Sequence, residues 1–159
     1  MDILSFWYQV MIASEPLLED SILLLKDEGF DGELKAFYRE HLKEERNHAT
    51  WMREDMGEHP VNLHLGAAML AGTQYYLIRR IHPVCLMGYM MELEGHEMDM
   101  SVVEEIERQH GKQAGRTLRL HAENDPRHIQ ELREFPIPDE FMPMVKMSQE
   151  QTQRILRGL

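Results

Sequence analysis

His41, Glu45 and His48 in the segment HLKEERNH, and His121, Asp125 and His128 in HAENDPRH, share one pattern, His-xxx-carboxylate-xx-His. On an α-helix, offsets of four and seven residues bring three side chains within about 60° of one another on a single face. Imidazole and carboxylate together form a ligand shell suited to iron, manganese or zinc. Two such faces brought together would hold two ions. The plainer reading is a pair of solvated helix faces, because the chain contains nine histidines and 28 acidic residues. Matching order and spacing on two separate amphipathic segments favours the metal.

Two divalent ions bring about four positive charges against two carboxylates in the triplets, so a third acid would improve the balance. Glu94 is the candidate. It lies in the apolar run MGYMMELEG, where an unpaired buried carboxylate would cost several kcal/mol. Glu92, two residues away, points to another face of the helix. Glu44 adjoins Glu45 and offers itself as a ligand in its place, but Glu45 alone repeats the spacing of the second triplet. Pro126 sits inside that triplet and cannot donate to the carbonyl of Ala122. Either the helix kinks there, or Asp125 caps a separate helix.

Hydrophobic spacing along the chain is helical, with no convincing period-two stretch, so the fold class expected is all-α, a compact bundle of about six to seven helices. An opening helix is expected over about Ile3–Ala13. A second begins near Ser14 and Pro16 and runs toward Lys26, unless the two are one kinked helix. A long helix over about Glu33–Met56 carries the first triplet and offers Leu34, Phe37 and Tyr38 to a core, ending at Gly57. Further helices are expected over about Leu65–Ile81, Pro83–Gly95, Ser101–His110, Lys112–Arg133 and Asp139–Leu156. The Leu65–Ile81 helix is rich in Gly and Ala and suited to close packing. The Lys112–Arg133 helix bears the second triplet.

At 159 residues and 43% hydrophobic, the chain suits one domain, 1–159. A net charge of −11 would repel a phosphate backbone and an anionic membrane surface, so neither nucleic acid nor membrane is an expected partner. No run approaches the ~18 apolar residues of a membrane span. The opening MDILSFWYQV carries an acid where a signal peptide carries a base, and Cys85 is the lone cysteine. A reducing, cytoplasmic location is expected. Methionines cluster around Glu94 (Met87, Met90, Met91, Met98, Met100) and serve more readily as core filler than as a substrate wall.

HLKEERNHATWMREDMG, HPVCLMGYMMELEG and HAENDPRHIQEL resemble the three signature helices of the heme-oxygenase-like diiron oxidases, the iron-containing redox enzymes. The likeness spans about Phe37 to Leu132, with HxxEExxH, GYxxxLEG and HxxxDxxH in order. It implies a seven-helix fold similar to those of heme oxygenase, thiaminase II and pyrroloquinoline quinone synthase. It implies iron at Glu45 and His48, with His41 beside them, at Glu94 as the middle carboxylate, and at His121, Asp125 and His128. Two Fe(II) ions per chain, replaceable by Mn or Zn, would react with O2 to oxidise a small organic substrate, with an external electron donor where the reaction needs one. The chain departs from the pattern in its short amino-terminal region, in a histidine at position 41, and in His96 after Glu94-Gly95.

Two rivals stand beside this reading. One is a metal-free, thiaminase-like hydrolase with Cys85 as nucleophile, for which the sequence offers no evident activating base. The other is a non-catalytic helical protein that holds a metal, a haem or a partner. A homodimer formed through an exposed apolar helix face suits a bundle of this size.

Overall fold

The computed structural model describes residues 2–95 and 99–158, the side chains of 125 and 126 excepted. Among these residues the chain forms eight α-helices and no strand: α1 (Ile3–Leu24), α2 (Gly29–Glu45), α3 (His48–Met56), α4 (Leu65–Arg80), α5 (Cys85–Gly95), α6 (Met100–His110), α7 (Arg116–Glu134) and α8 (Met142–Arg157). A 3-10 turn at Lys112–Gly115 leads into α7. The all-α expectation holds, with slightly more helices than expected. No helix among the described residues is long and apolar enough to cross a membrane.

One boundary left open by the sequence is decided, and another differs from the expectation. Residues 3 to 24 form one helix that continues through Pro16, capped by Asp2, whose carboxylate accepts from the Ser5 amide at 3.1 Å. Conversely, the single helix expected over Glu33–Met56 is two. Asn47 adopts a left-handed conformation with φ of 71° and separates α2 from α3. Asn tolerates that region better than most residues because its short polar side chain bonds locally. The break is fastened from α1, where Glu15 Oε1 accepts from the Asn47 amide at 3.0 Å.

Apolar side chains collect in two clusters. The larger joins α1, α2, α4, α5 and α8 through residues such as Leu17, Leu34, Tyr38, Leu70, Leu86 and Val145. The smaller joins the start of α1 to α3, α6 and α7 through Leu4, Met52, Val103 and Leu118. Trp7 packs against both. Helices α1 and α4 run side by side in the same direction, since Ser5 and Gln9 bond to Asn62 and His64 at one end while Arg79 pairs with Asp20 near the other. Helices α5 and α8 touch backbone to backbone: a Cβ on Gly88 would lie 2.1 Å from the carbonyl oxygen of Val145. That contact holds the helix carrying Glu94 at a fixed depth.

Candidate metal centre

The buried stripe of α2 reads Leu34, Tyr38, His41 and Glu45, so the same helical spacing that packs the core carries two polar groups inward at its carboxyl end. On α3 the buried face is His48, Met52, Asp55 and Met56. From α7, His121 is half-buried, and His128 is buried four residues before the core residue Leu132. Glu94, from the last turn of α5, is half-buried beside them. Helix α7 continues through Pro126 as one element, so Asp125 does not begin a separate helix. The side chain of Asp125, and His96 and Met98, lie outside the described residues.

The two triplets do not each surround their own ion. The break at Asn47 parts His48 from His41, and the groups regroup across helices. Glu45, His48 and His121 come together first: one potential ligand atom from each lies within 4.8 Å of the others. Here the His48 Nδ1 to Glu45 Oε2 distance is 3.5 Å, and the His48 and His121 ring centroids are 4.7 Å apart.

Beside this set lies a second. His41 Nε2 is 3.2 Å from Glu94 Oε1, and His128 Nδ1 is 3.5 Å from Glu94 Oε2. The His41 and His128 rings stand 5.4 Å apart. Glu44 is exposed, and its Oε2 lies 2.9 Å from the other ring nitrogen, His128 Nε2, while accepting from Arg127 at 3.1 Å. Glu44 therefore stands behind His128, on the side away from Glu94.

Electrostatics follow from this crowding. Burial opposes charge on Glu45, but the close approach of His48 and the charges of His121 and His41 outweigh it and hold the carboxyl at about 2. Burial also opposes protonation of His41, yet its hydrogen bond to Glu94 and the negative charges of Glu94, Glu45 and Glu44 raise it above the ordinary imidazole value. Glu44 is held below the usual carboxylate range: burial works upward, and Arg127 and His128 more than offset it. His48 Nδ1, His128 Nδ1 and Glu94 Oε2 are buried and make no hydrogen bond. The His48 Nδ1 to Glu45 and His128 Nδ1 to Glu94 Oε2 distances are both 3.5 Å, beyond ordinary hydrogen-bond length.

A cavity of about 70 Å³ opens onto His41, Glu45, Glu94 and His121. Its walls are mostly apolar, from Trp7, Val10, Met11, Leu17 and Leu18 of α1 and from Leu86, Met90 and Leu93 of α5. Tyr89 also lines it. Burial, with the charge of Glu45 added, pushes its phenol well above the ordinary value, and its hydroxyl makes no hydrogen bond.

No family model, curated protein or solved structure matches this chain.

Cys85, at the start of α5, is fully buried, and burial pushes its thiol up. A nucleophilic thiol needs the opposite shift. Met87 and Met90 are core residues, and Met90 also faces the cavity. Glu92 points away from the candidate centre, accepting from Gln149 on α8 at 3.3 Å.

Sequence reasoning missed Asp55. Its side chain is buried and accepts from the Thr117 amide at 2.8 Å and from the Thr117 hydroxyl at 2.5 Å, while Arg116 pairs with its other oxygen at 2.8 Å. It caps the first turn of α7 and ties that helix to α3, and so joins the carriers of His48 and His121. The signal was present in the spacing of His48, Met52 and Asp55, which places the acid on the buried face.

Proposed function

We propose that the chain is a nonheme diiron enzyme that uses O2 to oxidise a small organic substrate, as the group its HxxEExxH, GYxxxLEG and HxxxDxxH segments resemble would do. One observation carries the reading. Glu45, His48 and His121 gather closely enough to share an ion, His41 and His128 flank Glu94 beside them, and His41, Glu45, Glu94 and His121 face a mostly apolar cavity, while His48 Nδ1, His128 Nδ1 and Glu94 Oε2 are buried without hydrogen bonds. Leaving such an atom unmatched costs ~1–3 kcal/mol, a cost that coordination offsets.

Glu45, His48 and His121 would hold one ion, and His41, Glu94 and His128 the other, with Asp125 available from α7. Bound ferrous ions would supply the electrons and open positions for O2. The remaining work belongs to the chain. Glu44 orients the His128 ring by occupying its far nitrogen, as an outer carboxylate commonly does for a ligating histidine. The side chains of α1 and α5 exclude water from the reacting group. Tyr89 stays protonated across the physiological range, so its hydroxyl can donate to an oxygen atom held in the cavity.

The cavity lining among the described residues includes two carboxylates and no lysine or arginine. It therefore favours a neutral or amine-bearing substrate group of small size and disfavours an anion. An external electron donor and a cytoplasmic setting belong to the same reading.

The test is anaerobic loading with Fe(II), metal analysis, and optical spectroscopy as O2 is admitted. Wild-type protein is expected to hold about two irons per chain and to develop an O2-dependent absorption. His121→Ala and His128→Ala should each retain about one, and the double variant almost none, as expected of two-metal carboxylate-histidine centres. Absence of tight iron in the wild type, or retention by the double variant, would remove the site. Two irons without O2 consumption would instead make this a non-catalytic metal protein.

A further inference from the structure

The outer face of α4 is unlike the rest of the surface. From Leu65 to Ile78 the helix has no charged residue, in a chain of net charge −11. Leu65 is 73% exposed, Met69 49% and Tyr76 63%, and Leu63 just ahead of the helix is 88% exposed. Leu65, Met69, Gly72 and Tyr76 recur at helical spacing and occupy one narrow stripe. A Cβ on Gly72 would meet nothing within 4 Å, so the stripe has an open notch near its middle.

We propose that the chain pairs with a second copy of itself through this face, the two α4 helices running antiparallel about a two-fold axis between Leu70 and Ala71. The spacing of the stripe, though not its residue types, is unchanged on reversal. Reversing the helix exchanges Leu65 with Tyr76 and Met69 with Gly72. Each Met69 thereby enters the notch over the other copy's Gly72, and each Leu65 covers a Tyr76, which is the self-complementarity an isologous interface requires. The flexible thioether of methionine suits an irregular notch.

Charge supports a second copy over an unrelated partner. The carboxyl end of α4 carries exposed Arg80, and just ahead of its amino end the Asp2 carboxylate accepts from Asn62. Antiparallel pairing brings each basic end to an acidic one. The exposed side chains offer several hundred Å² per copy, the order of the ~800 Å² that each partner contributes to a standard interface. The pairing does not depend on metal.

Sedimentation equilibrium of the full chain across micromolar concentrations tests this. The wild type should sediment at twice its 18.8 kDa chain mass. Gly72→Trp fills the notch from a position where a Cβ meets nothing within 4 Å and should raise the dissociation constant at least tenfold while leaving the helical circular dichroism unchanged. Met69→Arg, at an exposed site, should do the same. A monomeric wild type at every concentration would overturn the proposal. So would a dimer indifferent to both variants, or one dissociated by Leu23→Arg on α1 and untouched at position 72.

Discussion

Glu44 and Glu45 are neighbours in sequence with opposite surroundings, and the contrast separates a ligand from its support. Glu45 is buried and held ionised against His48 and His121; Glu44 is exposed and shared between Arg127 and His128. Glu44→Gln is therefore expected to leave about two metal ions bound but to weaken the His128 centre roughly 10-fold to 100-fold, the usual effect of removing an orienting carboxylate. His41→Ala should abolish that ion while sparing the one at Glu45, His48 and His121. Titration with Zn(II) followed by metal analysis separates these outcomes, and equal losses in both variants would make Glu44 a ligand. Of the six residues marked by spacing, five come together among the described side chains, and Glu94, marked by charge balance, joins them. Their grouping was not legible, because spacing places residues on a face but does not say which face meets which.

At the level of elements, α3 and α7 are joined by a buried acid, and α5 is seated on α8 by a missing side chain. Asp55→Ala should destabilise the protein by about 2–4 kcal/mol, since it uncaps α7 and leaves Thr117 without its acceptor. Chemical denaturation measures the loss, and metal affinity should fall with it. Gly88→Ala should cost about 1–3 kcal/mol or more, because its methyl group meets Val145 backbone rather than a yielding side chain.

The cap on α1 adds a pH dependence. Burial works upward on Asp2, but hydrogen bonds from Asn62 and Ser5 outweigh it and hold the carboxyl well below the usual range. The unfolded chain then binds the proton more readily than the folded one. This contribution is complete above the ordinary carboxylate pKa near 4 and fades as pH falls below it. Asp2→Asn should flatten that part of the pH–stability curve measured by thermal melts.

Helix positions were largely legible from Pro, Gly and apolar spacing. Proline left position 16 open between two helices and one, and the packing of Leu17 and Leu18 accompanies the single helix. The break at Asn47 had no such marker, since Arg46, Asn47 and His48 fit a helical pattern as well as any polar face.

For the molecule as a whole, the candidate ions would cross-link α2, α3, α5 and α7, the helices on which both core clusters depend. Metal binding should therefore appear as stability. At 100 times the dissociation constant, one ion adds ~2.7 kcal/mol, which for a chain of this size is a rise of about 5–10 °C in Tm. Anaerobic thermal melts with and without Fe(II), then with chelator, should show the rise and its reversal; an unmoved Tm would mean that the polar cluster holds no ion.

The cavity wall draws six of its lining side chains from α1, a helix that supplies none of the proposed ligands. Selectivity and reactivity thus sit on different pieces of chain and can diverge independently. A library restricted to Val10, Met11 and Ser14 could retune what the cavity admits while the residues that would bind metal stay unaltered, so related sequences differing mainly along α1 would be expected to share a chemistry and differ in diet.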